Sequence, residues 1–253
     1  MQSRSRFEGK VIIVTGAARG MGKATAAAFA REGAQVIVND LHQAAAEATA
    51  AQLRAAGGDA SAIAADVSRR DEAQRLVRET VARCGAVHVL VNNAGILSRT
   101  PIEDIPEVEW DTVMAVNVKG VFLCAQAVFP IMKAARYGKI VNVASSAGRS
   151  VSTFGGAAYT TSKAAVLGLT RHIAREGAPY GINCNSTSPG SMDTEMVRDN
   201  ASPETIEKEA RAIPLGRLGT ADDEANLVLF LASDDASYIT GATVDINGGG
   251  LMI

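Results

Sequence analysis

Tyr159 and Lys163, four residues apart in the run Ala158-Tyr-Thr-Thr-Ser-Lys-Ala164, are the residues of this chain best suited to moving a proton. On a helix, positions four apart share one face. A free phenol has a pKa of about 10 and is not a base near neutrality. A fixed ammonium beside it favours the phenolate and lowers that value. The pair is therefore expected to act as a proton-transfer device, with the lysine drawing the phenol toward neutrality. The same spacing arises by chance on helix surfaces, so the surrounding residues decide its meaning.

Those surroundings are short apolar strands alternating with amphipathic helices. The pattern predicts strands at 10–14, 35–39, 61–65, 87–91, 139–144, 182–187 and 243–246. Helices fall near 21–32, 41–56, 69–84, 107–135, 157–176 and 221–232. Near-continuous apolar strands such as Val-Ile-Ile-Val at 11–14 belong to a parallel sheet covered on both faces. Alternation of this kind predicts an α/β, Rossmann-like, doubly wound parallel sheet of about seven strands in one domain spanning 1–253. The polar segment 191–220, with helical patches near 194–199 and 203–211, interrupts the rhythm directly after a strand. It is expected to be a substrate-binding lid, the alternative being a solvated excursion.

Composition excludes several other readings. The 253 residues are 47% hydrophobic and 21% charged with a net charge of −2, which offers nothing to nucleic acid or an anionic membrane. No apolar run is expected to cross a membrane, and the polar start of the chain shows no secretory signal. Cys84, Cys124 and Cys184 lack metal-ligand spacing and read as buried thiols in a reducing, cytoplasmic compartment. His42, His88 and His172 join no constellation, and no cluster suggests a metal.

In open α/β sheets ligands bind beyond the carboxyl ends of the strands, and here nearly every predicted strand ends in unusual residues. The first runs into Thr15-Gly-Ala-Ala-Arg-Gly-Met-Gly22. The second ends at Asp40, the third at Asp66, the fourth at Asn92-Asn-Ala-Gly95, the fifth at Ser145-Ser146 and the sixth at Pro189-Gly190. Gly16, Gly20 and Gly22 open a helix and let backbone N–H groups approach a pyrophosphate. Lys23 is followed by Ala24, so the turn is not the phosphate loop of an ATPase. Asp40 can accept both ribose hydroxyls of an adenosine and repel a 2′-phosphate, which favours NAD over NADP. Arg19 is the counter-signal, and capping of a helix near Leu41 is the structural alternative for Asp40.

With these motifs in order, the chain resembles the short-chain dehydrogenase/reductase family in its single-domain branch. The resemblance covers nearly the whole chain. It rests on Thr15-Gly16-x-x-x-Gly20-x-Gly22, Asp66-Val67, Asn92-Asn93-Ala94-Gly95, Asn117 in Val-Asn-Val-Lys-Gly, Ser145, Tyr159-x-x-x-Lys163, Pro189-Gly190 and Thr194. It implies NAD(P)-dependent oxidation of an alcohol or reduction of a carbonyl. Tyr159 looks like the general acid/base, and Lys163 like the group that lowers its pKa and binds the nicotinamide ribose. Ser145 looks like the hydroxyl that orients substrate oxygen, and Asn117 like the residue that holds a water in a relay to Lys163. The implied cofactor contacts are Gly16, Arg19, Gly20, Met21, Gly22, Asp40, Leu41, Asp66, Val67, Asn93, Ala94, Gly95, Tyr159, Lys163, Pro189, Gly190, Met192 and Thr194. Asn92 and Gly95 look like wall residues beside the adenosine ribose.

The serine has two candidates. Strand alignment and Gly148 point to Ser145, whereas a frequent family spacing, counted back from Tyr159, reaches Ser146; the assignment taken is Ser145. The sixth strand departs from the family pattern, with Asn183 for a basic residue and Thr187 for an aliphatic one, while Asn185 is retained. The leading expectation is a NAD-dependent secondary alcohol dehydrogenase or ketone reductase. The alternatives are an NADPH-dependent 3-oxoacyl thioester reductase and a non-catalytic dinucleotide sensor. The sensor would usually have lost the tyrosine or lysine, and both are present. Leu97, Arg99, Ala147, Arg149, Val151, Phe154, Met192 and Met196 are candidates for the substrate wall. The resemblance further implies a homotetramer, with helices near 107–135 and 157–176 pairing across one interface and the run Gly248–Ile253 packing across another.

Overall fold

Seven strands hydrogen-bond into one parallel sheet in the order β3-β2-β1-β4-β5-β6-β7. They are β1 (Val11–Val14), β2 (Gln35–Asp40), β3 (Asp59–Ala64), β4 (Val89–Asn92), β5 (Gly138–Val143), β6 (Ile182–Pro189) and β7 (Thr243–Ile246). The computed structural model describes residues 5–199 and 201–253. Positions 1–4 of the polar N-terminal stretch and position 200 of the 191–220 excursion lie outside the described residues. Chain order reverses between β1, which pairs with β2 on one side and with β4 on the other. That switch point leaves a crevice above the carboxyl ends of β1 and β4.

Helices cover both faces, which is why the central strands are apolar on both sides. On one face lie α1 (Gly20–Arg31), α2 (Gln43–Ala55) and α9 (Ala221–Ala232), packed against Val14, Val38, Val91 and Val143. The other carries α3 (Arg70–Cys84), α5 (Gly120–Ala135) and α6 (Ala157–Gly177), packed against Ile13, Ile37, Leu90 and Ile140. Burying each of these side chains stabilises the fold by roughly 1.5–3 kcal/mol.

The expected strands and helices are all present, with shifted ends. Strand β3 occupies 59–64 rather than 61–65, so Asp66 stands in the turn beyond it, and β6 runs on to Pro189. The long helix expected at 107–135 is α4 (Glu107–Met114), one π-helical turn (Ala115–Lys119) and α5. A π turn widens the ladder at one point and commonly marks a functional position; here it carries Asn117. Contrary to the sequence expectation, this helix is long and apolar enough by composition to cross a membrane. Its apolar face is instead spent on the sheet, α3 and α6.

The excursion after β6 forms α7 (Glu195–Arg198) and α8 (Pro203–Ala212). Ser202 caps α8 by accepting the Thr205 N–H at 3.2 Å, with Pro203 in the first turn. Phe154, Val197, Ile213 and Leu218 form a small apolar cluster that fastens this segment to the loop before α6.

Candidate active site

The glycine turn is held by side chains that never leave the protein. Gly16 and Gly20 adopt φ of 62° and 56°, the left-handed region that a side chain disfavours. A Cβ on Gly16 would also stand 2.8 Å from the Ala94 Cα. Thr15 Oγ1 accepts the N–H groups of Asn93 and Ala94 at 3.0 and 3.1 Å, and Asn93 Nδ2 donates to the carbonyls of Thr15 and Gly16, each at 2.9 Å. Asn93 thus bolts the turn to β4 with both amide protons and has none left to offer a cofactor. Asn92 is likewise committed: it is buried and donates to Asn142 Oδ1 at 2.8 Å. The side-chain amides of both residues serve the sheet, which leaves their backbone groups as what they can offer a cofactor.

What the turn presents outward fits a dinucleotide. Helix α1 begins without a side-chain cap and without an acidic residue in its first turn, leaving N–H groups at a positive helix end for a diphosphate. Asp40 accepts the Ala18 N–H at 3.1 Å and the Leu41 N–H at 2.9 Å, which fixes its carboxylate beside the turn. It caps no helix, because α2 starts at Gln43 behind His42. Arg19 and Leu41 are exposed at this rim. Asp66 shapes its own turn by accepting from Ser68 N and Oγ at 2.9 and 2.7 Å, and Val67 is buried beneath it against Gly120.

Beyond β4 and β5 lie the groups with proton chemistry. Lys163 is buried, and its Nζ donates to the Val143 carbonyl at 2.8 Å, 5.6 Å from the centre of the Tyr159 ring. Gly148 lets the loop after β5 touch α6 at this point, since a Cβ there would lie 2.8 Å from the Lys163 carbonyl. Ser145, rather than Ser146, is the hydroxyl that acts on the Tyr159 phenol, favouring its ionised form. Ser145 Oγ also accepts the Ala147 N–H at 3.1 Å. Gly155 leaves room for the tyrosine ring, 2.7 Å from where its Cβ would be. Asn117 is buried; its Oδ1 accepts the Ile96 N–H at 2.8 Å and its Nδ2 donates to the Ile96 carbonyl and Ser162 Oγ, each at 3.0 Å. Asn117 and Lys163 both approach the open side of Gly95, at 3.4 and 3.6 Å from a virtual Cβ.

Burial dominates the electrostatics of the pair. Burial pushes the Tyr159 phenol above its ordinary value, and only the Ser145 hydroxyl opposes it. Burial also lowers Lys163, to about 8, with the Glu224 charge working against that loss. Two buried groups each resist ionisation, so within the pair burial opposes the phenolate and the Ser145 hydroxyl favours it.

A cleft of about 190 Å³ opens above Tyr159, Ser145, Pro189 and Gly190. Leu97, Val151, Phe154, Met192 and Met196 line it as expected, joined by Met21 and Thr194, which the resemblance had put among the cofactor contacts. Arg99, Ala147 and Arg149 do not. Arg149 turns instead to β7, donating to the Thr243 carbonyl at 2.8 Å. The sequence reading missed the polar wall of Ser150, Ser152, Thr153, Ser191 and Glu209. Glu209 Oε1 accepts from Ser191 at 2.6 Å and Thr153 at 3.2 Å, latching α8 to the loop before α6. Nothing in the sequence distinguishes Glu209 from the other charges of a surface helix.

The departures in β6 also find their reason. Lys139 on neighbouring β5 donates to Asn183 Oδ1 at 2.9 Å, placing a cation near the position where the family pattern has one on β6. The histidines stand apart from the site: His88 Nδ1 accepts the Val11 N–H at 2.8 Å, and His172 pairs with Glu176 at the surface. Among the described residues no group of His, Cys, Asp and Glu is arranged for a metal, and the three cysteines are unpaired thiols.

Comparison with known proteins finds oxidoreductases of similar length. Residues 16–250 match a family model described as enoyl-(acyl carrier protein) reductase. An oxidoreductase of Thermotoga maritima, itself uncharacterised, is 40% identical over 252 residues, covering 98% of this chain and 99% of the relative. A 3-oxoacyl-(acyl-carrier-protein) reductase of Staphylococcus aureus is 43% identical over 244 residues, covering 96% and 98%. Among solved structures, a 3-oxoacyl-(acyl-carrier-protein) reductase of Brucella melitensis with bound NAD superposes with a TM-score of 0.91 at 35% identity, covering 99% of this chain and 94% of the other.

Proposed function

The chain belongs to the short-chain dehydrogenase/reductase family of oxidoreductases, and from that premise we propose that it reduces the ketone of a 3-oxoacyl thioester with NADH. The observation that carries the reading is the placement of Tyr159 and Ser145 together on the wall of one cleft, with the buried Lys163 behind them. A neutral phenol is a proton donor, which is what carbonyl reduction requires near neutral pH. The names of the relatives support a 3-oxoacyl thioester over the free secondary alcohol that the sequence put first. Asp40 supports NADH, and the NAD bound to the Brucella reductase is compatible with pairing that cofactor and that substrate class.

The turn of Gly16, Gly20 and Gly22 would hold the diphosphate, Asp40 the adenosine ribose and Lys163 the nicotinamide ribose. The nicotinamide, when bound, supplies the hydride to the carbonyl carbon. Tyr159 donates its proton to the carbonyl oxygen as charge develops there. Ser145 donates a hydrogen bond to the same region, stabilising oxygen charge that is absent from the ground state. Asn117 is one hydrogen bond from Ser162 and faces the space shared with Lys163, where a relay to solvent would run. The 191–220 segment, latched by Glu209, acts as the lid within a single domain. Val108, Trp110 and Phe122 lie exposed along the 107–135 helix and support a homo-oligomer paired through it.

The test is turnover of an acetoacetyl thioester, simple ketones and secondary alcohols with each reduced or oxidised cofactor, followed by nicotinamide absorbance. The thioester with NADH is expected to be fastest. Asp40→Ala is expected to narrow the preference for NADH over NADPH by roughly tenfold or more, one lost charge-based discrimination being worth about 1.4 kcal/mol. Turnover of alcohols but not thioesters would restore the dehydrogenase reading. An unchanged cofactor ratio would remove the role given to Asp40.

A further inference from the structure

Beneath the catalytic lysine, on the opposite face of the sheet, lies a carboxyl group that the proposed reaction does not use. Glu224 sits in the first turn of α9 and is fully buried. Its Oε1 accepts the Thr187 hydroxyl of β6 at 2.6 Å, and its Oε2 has no hydrogen-bond partner among the described residues. Thr187 pairs in register with Val143 of β5, whose carbonyl receives the Lys163 Nζ at 2.8 Å. Lys163 approaches this strand end from α6, on the face opposite to α9. Buried carboxylates are costly and are retained where a charge or hydrogen bond answers them.

We infer that Glu224 is a positioning residue for the Lys163 ammonium, a carboxylate fixed by Thr187 that holds the lysine's charge from under β5 and β6. This rests on the assignment of Lys163 to the reaction. The hydroxyl at 187 stands where the family pattern has an aliphatic residue, so the Thr187–Glu224 hydrogen bond is a feature of this chain's own sequence.

The charges around Glu224 leave Lys163 as its partner. Helix α9 packs against α1, with Lys23 and Arg31; β5, with Lys139; β6; β7, with Asp245; and the turn bearing Asp234 and Asp235. Its own first turn adds Asp222 and Asp223. Of all these, only Thr187 and Lys163 act appreciably on the carboxyl, both favouring the anion against burial, which pushes it up to about 7. Reciprocally, Glu224 is the charged group that props up Lys163 against its own burial. Above about pH 7 the carboxylate is present and supports the ammonium. Without it, Lys163 gives up its proton at lower pH.

The experiment compares the chain with Glu224→Gln, Thr187→Val and Thr187→Ser. In protein labelled with nitrogen-15 at lysine Nζ, with Lys163→Gln for assignment, the Lys163 titration midpoint should fall by roughly half a unit or more in Glu224→Gln. It should fall by less in Thr187→Val and stay in place in Thr187→Ser. The alkaline fall of kcat for ketone reduction should move the same way. A Lys163 midpoint that is unchanged or raised in folded Glu224→Gln overturns the inference. If Glu224→Gln does not fold, a midpoint unchanged in Thr187→Val does so. The resonance readout needs no turnover, so an inactive chain would refute the proposed function while this coupling is still decided.

Discussion

At the amino end of the sheet, Tyr137 has Lys10 3.9 Å and Lys139 5.8 Å from its ring centre; at the carboxyl end, Tyr159 has Lys163 at 5.6 Å. Both tyrosines are pushed up by burial, and Lys139 and Lys163 are both lowered by it. The residue types and distances are alike, and the neighbours differ. The Tyr137 hydroxyl donates to Asp234 Oδ1 at 3.1 Å, and that anion raises the phenol further. The Tyr159 hydroxyl meets Ser145, a neutral donor that favours the phenolate, and it opens onto a cleft. Proximity of a lysine therefore does not make a tyrosine catalytic. The third group does, by penalising or accepting the charge that proton transfer leaves behind.

The sharpest way to break this contrast is to delete each hydroxyl. Tyr159→Phe should lower kcat by about 10²–10⁴-fold with NADH affinity nearly unchanged by fluorescence titration. Tyr137→Phe should leave kcat within about twofold while costing about 0.5–1.5 kcal/mol in urea denaturation. Equal losses of activity would dissolve the distinction. Next in size is the third group itself. Ser145→Ala should reduce kcat by about 10²–10³-fold, whereas Ser146→Ala, whose carbonyl caps its own turn by accepting from Arg149 and Ser150, should stay near wild type. The reverse result would move the catalytic serine by one position.

The smallest effect concerns stability and pH. Glu224 is raised from 4.5 to about 7 on folding, so the native state binds more protons than the unfolded chain between those values. Its burden on stability is absent at acid pH, grows as pH rises from about 4.5 to 7, and stays constant above. Glu224→Gln should therefore lie close to wild type near pH 4.5 and exceed it by up to about 3 kcal/mol at pH 7.5 in denaturant titrations. A difference that does not change with pH would mean packing alone. No comparable gain is expected from altering Asp234 at the other end, because that carboxylate is largely exposed.

Much of this architecture was legible in the residues. Val11–Val14 and the glycines that follow announce a buried strand and a ligand-binding turn, since few other types tolerate the backbone of Gly16 and Gly20 and no side chain fits at Gly22. Tyr159, Lys163 and Asp40 stand at helix or strand positions that sequence spacing located, and Ser145 at the strand end that alignment with the family pattern, not spacing, picked out. Other features were not legible, and for definite reasons. The amide protons of Asn92 and Asn93 are consumed by partners 50 and 78 residues away, which spacing cannot reveal. Arg149 faces β7 rather than the cleft because its carbonyl and carboxylate partners lie on a strand nearly a hundred residues later. Glu209 and Glu224 look like ordinary helix charges until the fold places one at the cleft and the other in the core.

The sequence by itself determined the period of strands and helices, the glycine turn and the four-residue step between Tyr159 and Lys163, because each depends on backbone sterics and helical geometry over a few residues. Tertiary structure alone decided which tyrosine faces a serine and which an aspartate, and that a carboxylate lies under one lysine. Those are contacts between distant segments, and in a buried site the charge of the nearest neighbour, not the spacing along the chain, sets which proton can move.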